Sequence, residues 1–127
     1  MTIQFRNLAE PFLLIGEIEN QVRKLIHGKF SAEELQDARK ENDPDRVIDG
    51  VAGLTFGDYV HLVENEDWWT KLMLKIDRAE FVKRLDHVRK IRNDVMHFDP
   101  DGLSDDDITS LRDFSIFLRT LRKVGAF

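Results

Sequence analysis

Residues 81–95 read FVKRLDHVRKIRNDV, and the spacing of their apolar positions decides the fold class. Apolar side chains recur every three or four positions, which is the period of one face of an α-helix. They form a stripe of Phe81, Leu85, Val88, Ile91 and Val95. Asp77, with an acid three positions later, supplies a helix cap. The pattern therefore predicts a helix from Arg78 to about His97.

The rest of the chain shows the same period, with no alternation long enough to indicate a strand. A first amphipathic segment ends at Gly28, a residue type common just after helices. Its predicted buried face holds Phe12, Ile15, Ile18, Val22, Leu25 and Ile26. Other helix starts carry a cap and an acid: Ser31 with Glu34, Thr55 with Asp58, Ser104 with Asp107. We predict an all-α fold, a four- to five-helix up-and-down bundle that forms one domain over residues 1–127.

The composition of the 127-residue chain limits the classes of function. It contains no cysteine, which excludes disulfides and thiolate zinc sites and suits a reducing cytoplasm. No apolar run approaches the ~20 residues that cross a bilayer, so we expect a soluble protein with no membrane partner. The net charge of −5 opposes broad adhesion to nucleic acid, yet residues 77–97 carry six basic and four acidic side chains. Any contact with nucleic acid is therefore expected to be local.

Arg92 falls inside the apolar stripe of the long predicted helix, one turn beyond Val88. A guanidinium there is costly to bury unless an anion meets it. One explanation is an ion pair with a carboxylate on another helix, or a side chain that snorkels to solvent. The other is a cleft in which the planar guanidinium receives a phosphate group. The sequence leaves both explanations open.

Asn93 and His97 lie one helical turn apart, so the amide can orient the imidazole. Arg92 and His97 are about 140° apart around an ideal helix, so they converge only if the helix frays or two copies pool their residues. RNA carries its own nucleophile, the 2′-hydroxyl, and its scission needs a base, an acid and a cation. A two-fold dimer would supply two histidines and two arginines around one groove.

The run Arg92-Asn93-x-x-x-His97, late in a helical chain and followed by a turn and a last helix, resembles the signature of the HEPN superfamily. The name abbreviates higher eukaryotes and prokaryotes nucleotide-binding. The family motif is Arg, a short spacer and His, very often with a polar residue such as Asn after the Arg. The segment LTFGD, from Leu54 to Asp58, also resembles a Leu-Thr-x-Gly stretch of some branches.

The resemblance implies a homodimeric, metal-independent endoribonuclease without a cofactor, with Arg92 and His97 catalytic and Asn93 supporting them. The product would be a 2′,3′-cyclic phosphate. Many relatives act in toxin–antitoxin or antiphage systems, so RNA, an antitoxin or a fused regulatory domain are implied partners. Other relatives are non-catalytic dimerisation or ligand-binding modules, which is the alternative function. Some branches carry a tyrosine, modified by a nucleotidyltransferase, where this chain has Asp99; its only tyrosine is Tyr59.

A metal site is the main chemical rival. Asp58 with His61, and Asp94 with His97, each place a carboxylate and an imidazole three positions apart, as in di-metal helix bundles. Those sites require further carboxylates from the bundle, and short Asp-x-x-His matches arise easily in a chain rich in Asp. We therefore expect no metal ligands.

Trp68 and Trp69 form an aromatic pair before the long helix. They could stack on an unpaired base or close the end of the bundle, and packing is the commoner role of large aromatic residues. His27, beside Gly28, is expected to lie at a helix C-terminus, and His87 on a solvated face.

Overall fold

The computed structural model describes residues 2–37, 54–96 and 103–127. These ranges contain six helices and no strand, so the predicted all-α fold is confirmed. The helices are α1 (Thr2–Ile26), α2 (Ala32–Asp37), α3 (Phe56–Glu64), α4 (Glu66–Leu72), α5 (Arg78–Met96) and α6 (Asp105–Lys123). Of these, α4 was not predicted from the sequence. Within the same ranges, no helix combines the length and the apolar character needed to cross a membrane.

The helix starts follow from local hydrogen bonds that the sequence specifies. At the start of α3, Thr55 Oγ1 accepts a bond from the Asp58 amide at 3.3 Å, and Asp58 Oδ2 accepts one from the Thr55 amide at 2.8 Å. Ser31 and Glu34 make the same reciprocal pair before α2. Each pair satisfies amides that a helix N-terminus leaves without a partner. The predicted starts of α2 and α3 are confirmed.

A single residue caps both the end of α3 and the start of the additional helix α4. Asn65 is the C-cap of α3, and its side chain accepts bonds from the amides of Asp67 and Trp68 at the start of α4. The helix places Trp69 against the core, with its ring centroid 5.2 Å from that of Phe81. Both tryptophans are partly buried against the hydrophobic core. Packing, the second of the two roles proposed for them, accounts for their position.

Helices α1 and α6 run parallel. Glu10 pairs with Arg112, and Glu17 pairs with Arg119, so an advance of seven residues along α1 matches an advance of seven along α6. Two successive pairs with the same offset require the same chain direction.

Helix α5 runs opposite to α6. Arg84 lies over the rings of Phe114 and Phe117, whereas His87, one turn later on α5, lies near Asp107, earlier on α6. The partners on α6 recede as α5 advances, which defines an antiparallel pair. These contacts join α1, α5 and α6 into one packed unit, and α3 packs against α5.

The apolar stripe of α5 forms the centre of the core. Its five members are at most 2% exposed, and buried residues of α1, α3 and α6 surround them. The predicted face of α1 is also buried from Ile15 onward. Phe12, predicted on that face, is instead 41% exposed, and Leu13 is 75% exposed. Phe12 borders a groove beside α5, where no other helix covers it among the described residues.

Candidate functional site

Arg92 lies where three helices meet. Its Nε atom is 3.3 Å from Oε1 of Glu19 on α1, and its Cζ atom is 5.8 Å from the ring centroid of Phe56 at the start of α3. The side chain is 34% exposed, although it lies among the buried members of the α5 stripe. The anion and the aromatic face together stabilise the cation at this position.

The Arg92 groove is a cavity of about 230 Å³ between α1 and α5. Its lining residues are Phe12, Ile15, Gly16, Glu19, Arg92 and Val95. At Gly16 an added Cβ atom would meet nothing within 4 Å, so the groove is open along this part of α1. The lining combines apolar side chains with one cation and one anion. Such a surface suits a ligand that carries both an apolar part and a charged group.

The contact with Glu19 leaves much of the donor capacity of Arg92 unused. In the described ranges Arg92 has this ion pair but no hydrogen bond, so both Nη nitrogens lack a described acceptor. The ion pair agrees with the explanation that Arg92 pairs with a carboxylate on another helix. The open groove and the remaining donors agree with the explanation that Arg92 receives a phosphate group in a cleft.

The other predicted site residues are described less completely. Asn93 follows Arg92 on α5 and its side chain is exposed. The described part of α5 ends at Met96, so His97 lies outside the described residues, as does the convergence expected between Arg92 and His97.

The two stretches that carry the family resemblance meet at Arg92. The LTFGD segment of residues 54–58 begins α3, and its Phe56 supplies the ring beside the guanidinium. Comparison of the chain with protein-family models, curated proteins and solved structures finds no match. The resemblance therefore rests on these two stretches of sequence alone.

The proposed metal ligands do not form a cluster in the described part of the chain. Asp58 is completely buried and its carboxylate accepts the Thr55 amide, as the cap of α3 requires. The His61 ring lies 6.4 Å from that of Trp68. No group of three potential metal ligands occurs among the described residues, which do not include His97.

Tyr59, the only tyrosine, is part of the packing between α1 and α3. It is 1% exposed, and its hydroxyl accepts a bond of 3.1 Å from Nε of Arg23. Burial raises the pKa of the Tyr59 hydroxyl above its usual value, while the Arg23 hydrogen bond acts in the opposite direction. The hydroxyl is therefore enclosed and not positioned for modification.

The sequence analysis missed Glu19, and it included Phe56 only as part of the LTFGD segment, without a role at the site. Glu19 lies four residues after Ile15, at the edge of the apolar face of α1. That position is a weak signal, because acidic residues commonly flank buried helix faces. Their contact with Arg92 depends on which helices pack together.

Proposed function

We propose that this chain is a HEPN-like, metal-independent endoribonuclease that acts as a homodimer. One observation carries the proposal: Arg92 is a partly exposed guanidinium in an apolar stripe, at an open groove, with both Nη nitrogens lacking a described acceptor. A guanidinium binds phosphate through two parallel N–H bonds, and the Nη atoms can supply them. The contact of Arg92 with Phe56 adds support, because it joins both motif stretches.

In the proposed reaction the 2′-oxygen of RNA attacks the adjacent phosphorus atom, and the bond from phosphorus to the 5′-oxygen breaks. His97 of one copy accepts the proton of the 2′-hydroxyl, and His97 of the other copy donates a proton to the departing 5′-oxygen. Arg92 stabilises the charge that develops on the phosphate oxygens, and Asn93 orients His97. The products are a 2′,3′-cyclic phosphate and a 5′-hydroxyl.

The exposed apolar residues of α1 support a dimer. Phe12 borders the Arg92 groove and Leu13 follows it, and both belong to the large apolar side chains that are exposed among the described residues. Exposed apolar residues that adjoin one another commonly mark a protein interface. A second copy that covers them would bring its own Arg92 groove close to the first, which the two-histidine mechanism requires.

The main test incubates wild type, Arg92→Ala and His97→Ala with structured and unstructured RNA in EDTA. Loss of a proton-transfer group or of the phosphate-binding cation is expected to slow cleavage by about 100-fold or more. Arg122→Ala is the matched control, because this exposed arginine lies in the last turn of α6, outside the groove. Equal cleavage by all four proteins would contradict the nuclease, provided that circular dichroism shows all of them folded.

The dimer has its own test. Leu13→Glu places a charge on the exposed face of α1 and is expected to yield a folded monomer that does not cleave RNA. Light scattering coupled to size exclusion gives the mass, and the cleavage assay gives the activity. A wild-type monomer with full activity would contradict a site shared between two copies.

A non-catalytic dimerisation or binding module is the second candidate function, and the Arg92–Glu19 ion pair favours it. In that case wild type and both variants would bind a partner, such as an antitoxin or a fused regulatory domain, without cleaving RNA. Growth arrest on expression, relieved by Arg92→Ala or His97→Ala, would instead support a nuclease with a toxin role.

A further inference from the structure

A second groove lies between α5 and α6 and shares no lining residue with the Arg92 groove. Its volume is about 460 Å³, twice that of the first. The polar side chains that line it are Lys83, Arg84, Asp86, His87 and Lys90 from α5 and Ser110 and Asp113 from α6. Basic groups thus lie along the α5 side. We call it the α5–α6 groove.

Arg84 is held against aromatic rings instead of a carboxylate. Its Cζ atom lies 4.7 Å from the ring centroid of Phe117 and 5.3 Å from that of Phe114. In the described residues no carboxylate pairs with it, and no hydrogen bond uses its nitrogens. Stacking fixes the plane of the guanidinium and leaves its N–H edges available for a ligand. This arrangement suits two parallel bonds to one anionic group.

The neighbouring charges determine the sign of the electrostatic potential in the groove. Asp86 accepts a bond of 2.7 Å from Arg89 and lies 3.4 Å from Lys90, so its charge is balanced within α5. The Arg89 hydrogen bond holds the pKa of Asp86 below its usual range, which keeps this carboxyl ionised and paired. Lys83 is exposed and pairs with no described carboxylate. Asp113 is a lining carboxylate without an ion pair in the described ranges.

His87, on the α5 side of the groove, contacts α6. Its Nε2 atom lies 3.4 Å from Oδ1 of Asp107. Asp107 is therefore turned toward His87 and not toward Arg84. Among the described residues that line the groove, two cations, Arg84 and Lys83, pair with no carboxylate, and one carboxylate, Asp113, pairs with no cation. These unpaired groups therefore carry one excess positive charge.

We propose that the α5–α6 groove binds a phosphate group. Arg84 donates two hydrogen bonds, Lys83 supplies a second positive charge, and the Ser110 hydroxyl donates a neutral hydrogen bond. The phosphate could come from a nucleoside monophosphate or from the backbone of an RNA strand. The RNA source rests on the proposed function, whereas the phosphate site itself does not.

Two probes distinguish these sources. Adenosine monophosphate is titrated into the protein by calorimetry, and a short fluorescein-labelled RNA is titrated by anisotropy in a His97→Ala background that prevents cleavage. Arg84→Gln is expected to raise the Kd of a bound probe about tenfold, because it removes a charged pair of hydrogen bonds. Lys83→Ala is expected to raise it about two- to fivefold.

Matched controls separate this site from general effects of charge. Arg122→Gln and Lys24→Ala each remove an exposed cation outside the groove and are expected to leave both affinities unchanged. Asp113→Asn removes the opposing carboxylate and is expected to lower the Kd about two- to fivefold. Thermal unfolding of each variant verifies that it is folded. Lys83 is exposed, so Lys83→Ala gives an answer even if Arg84→Gln unfolds the protein.

The outcomes separate the two proposals. Weaker binding of adenosine monophosphate to Arg84→Gln supports the phosphate site, whether or not RNA binds. Absence of RNA binding in every variant would contradict the proposed nuclease. RNA binding that depends on Arg92 but is unchanged in Arg84→Gln and Lys83→Ala would exclude RNA as the source of the phosphate and leave the proposed function standing. Binding of adenosine monophosphate that is equally unchanged in these two variants would overturn the phosphate site. Failure of wild type to bind either probe, or weaker binding by Asp113→Asn, would also overturn it.

Discussion

Helix α1 pairs its glutamates with arginines on both of its sides, but the two sides use these pairs differently. Toward α6, Arg112 and Arg119 each donate from Nε and Nη2 to both carboxylate oxygens of Glu10 and Glu17, respectively. The Nη2 bonds are 2.8 and 3.0 Å long. These bidentate pairs match the parallel alignment of α1 and α6, and each commits two of the five N–H donors of its guanidinium to the fold.

Toward α5, the contact between Glu19 and Arg92 is a single ion pair at 3.3 Å without a hydrogen bond. The same two residue types therefore serve structure at one boundary and leave donors available at the other. The difference shows that an Arg–Glu pair does not by itself identify a structural role. The number of donors left after pairing is the more informative quantity.

The largest effect is expected from the packing beneath the α1–α6 boundary. Leu118 is completely buried, and Leu118→Ala should lower the free energy of unfolding by about 2–5 kcal/mol, because it removes buried methyl groups and leaves a cavity. Ile116 on the same helix is 55% exposed, and Ile116→Ala should change stability by less than about 0.5 kcal/mol. Urea unfolding measures both. Similar losses in the two variants would contradict the described packing of α6.

A smaller effect, a gain in RNA affinity instead of a loss of stability, is expected at the α1–α5 boundary. Glu19→Gln removes the anion beside Arg92 and should tighten RNA binding about two- to fivefold, since the guanidinium no longer has a competing carboxylate. Glu17→Gln, on the α6 side of the same helix, should leave RNA binding unchanged. Anisotropy in the His97→Ala background measures both variants. Weaker binding after Glu19→Gln would show that the ion pair positions Arg92 for its ligand.

The smallest effect concerns the pH dependence of stability. The hydrogen bond from Arg119 holds the pKa of the Glu17 carboxyl below its usual value. A depressed pKa means that the ionised carboxylate stabilises the fold above the unfolded-state pKa of about 4.3. That stabilisation is lost as the pH falls through the lower pKa of the folded state. The Tm difference between wild type and Glu17→Gln should therefore shrink between neutral and strongly acidic pH, and a constant difference would contradict this.

Most of the helices could be predicted because their starts are encoded locally. Thr55 and Asp58 make their reciprocal bonds within one helical turn, and such pairs need no knowledge of the rest of the fold. Helix α4 escaped prediction for two reasons. Its seven residues make fewer than two turns, too few to show a period, and Asn65 serves as the cap of two successive helices.

The site could be predicted only in part. The sequence places Arg92 inside an apolar stripe and so indicates that it needs an anion or solvent. It does not identify Glu19 as that anion, because the parallel course of α1 and α6 and the position of α1 against α5 arise from tertiary packing. Phe12 was expected in the core for the same reason: periodicity gives a helix face but not how far a neighbour covers it.

Tyr59 is an intrinsic spectroscopic probe of the fold. Because it is the only tyrosine, its phenolate absorption in the ultraviolet reports on one place, the contact of α1 with α3. Enclosure raises its pKa, so deprotonation favours states in which α1 and α3 have separated. An alkaline titration thus follows the parting of these two helices without any introduced label.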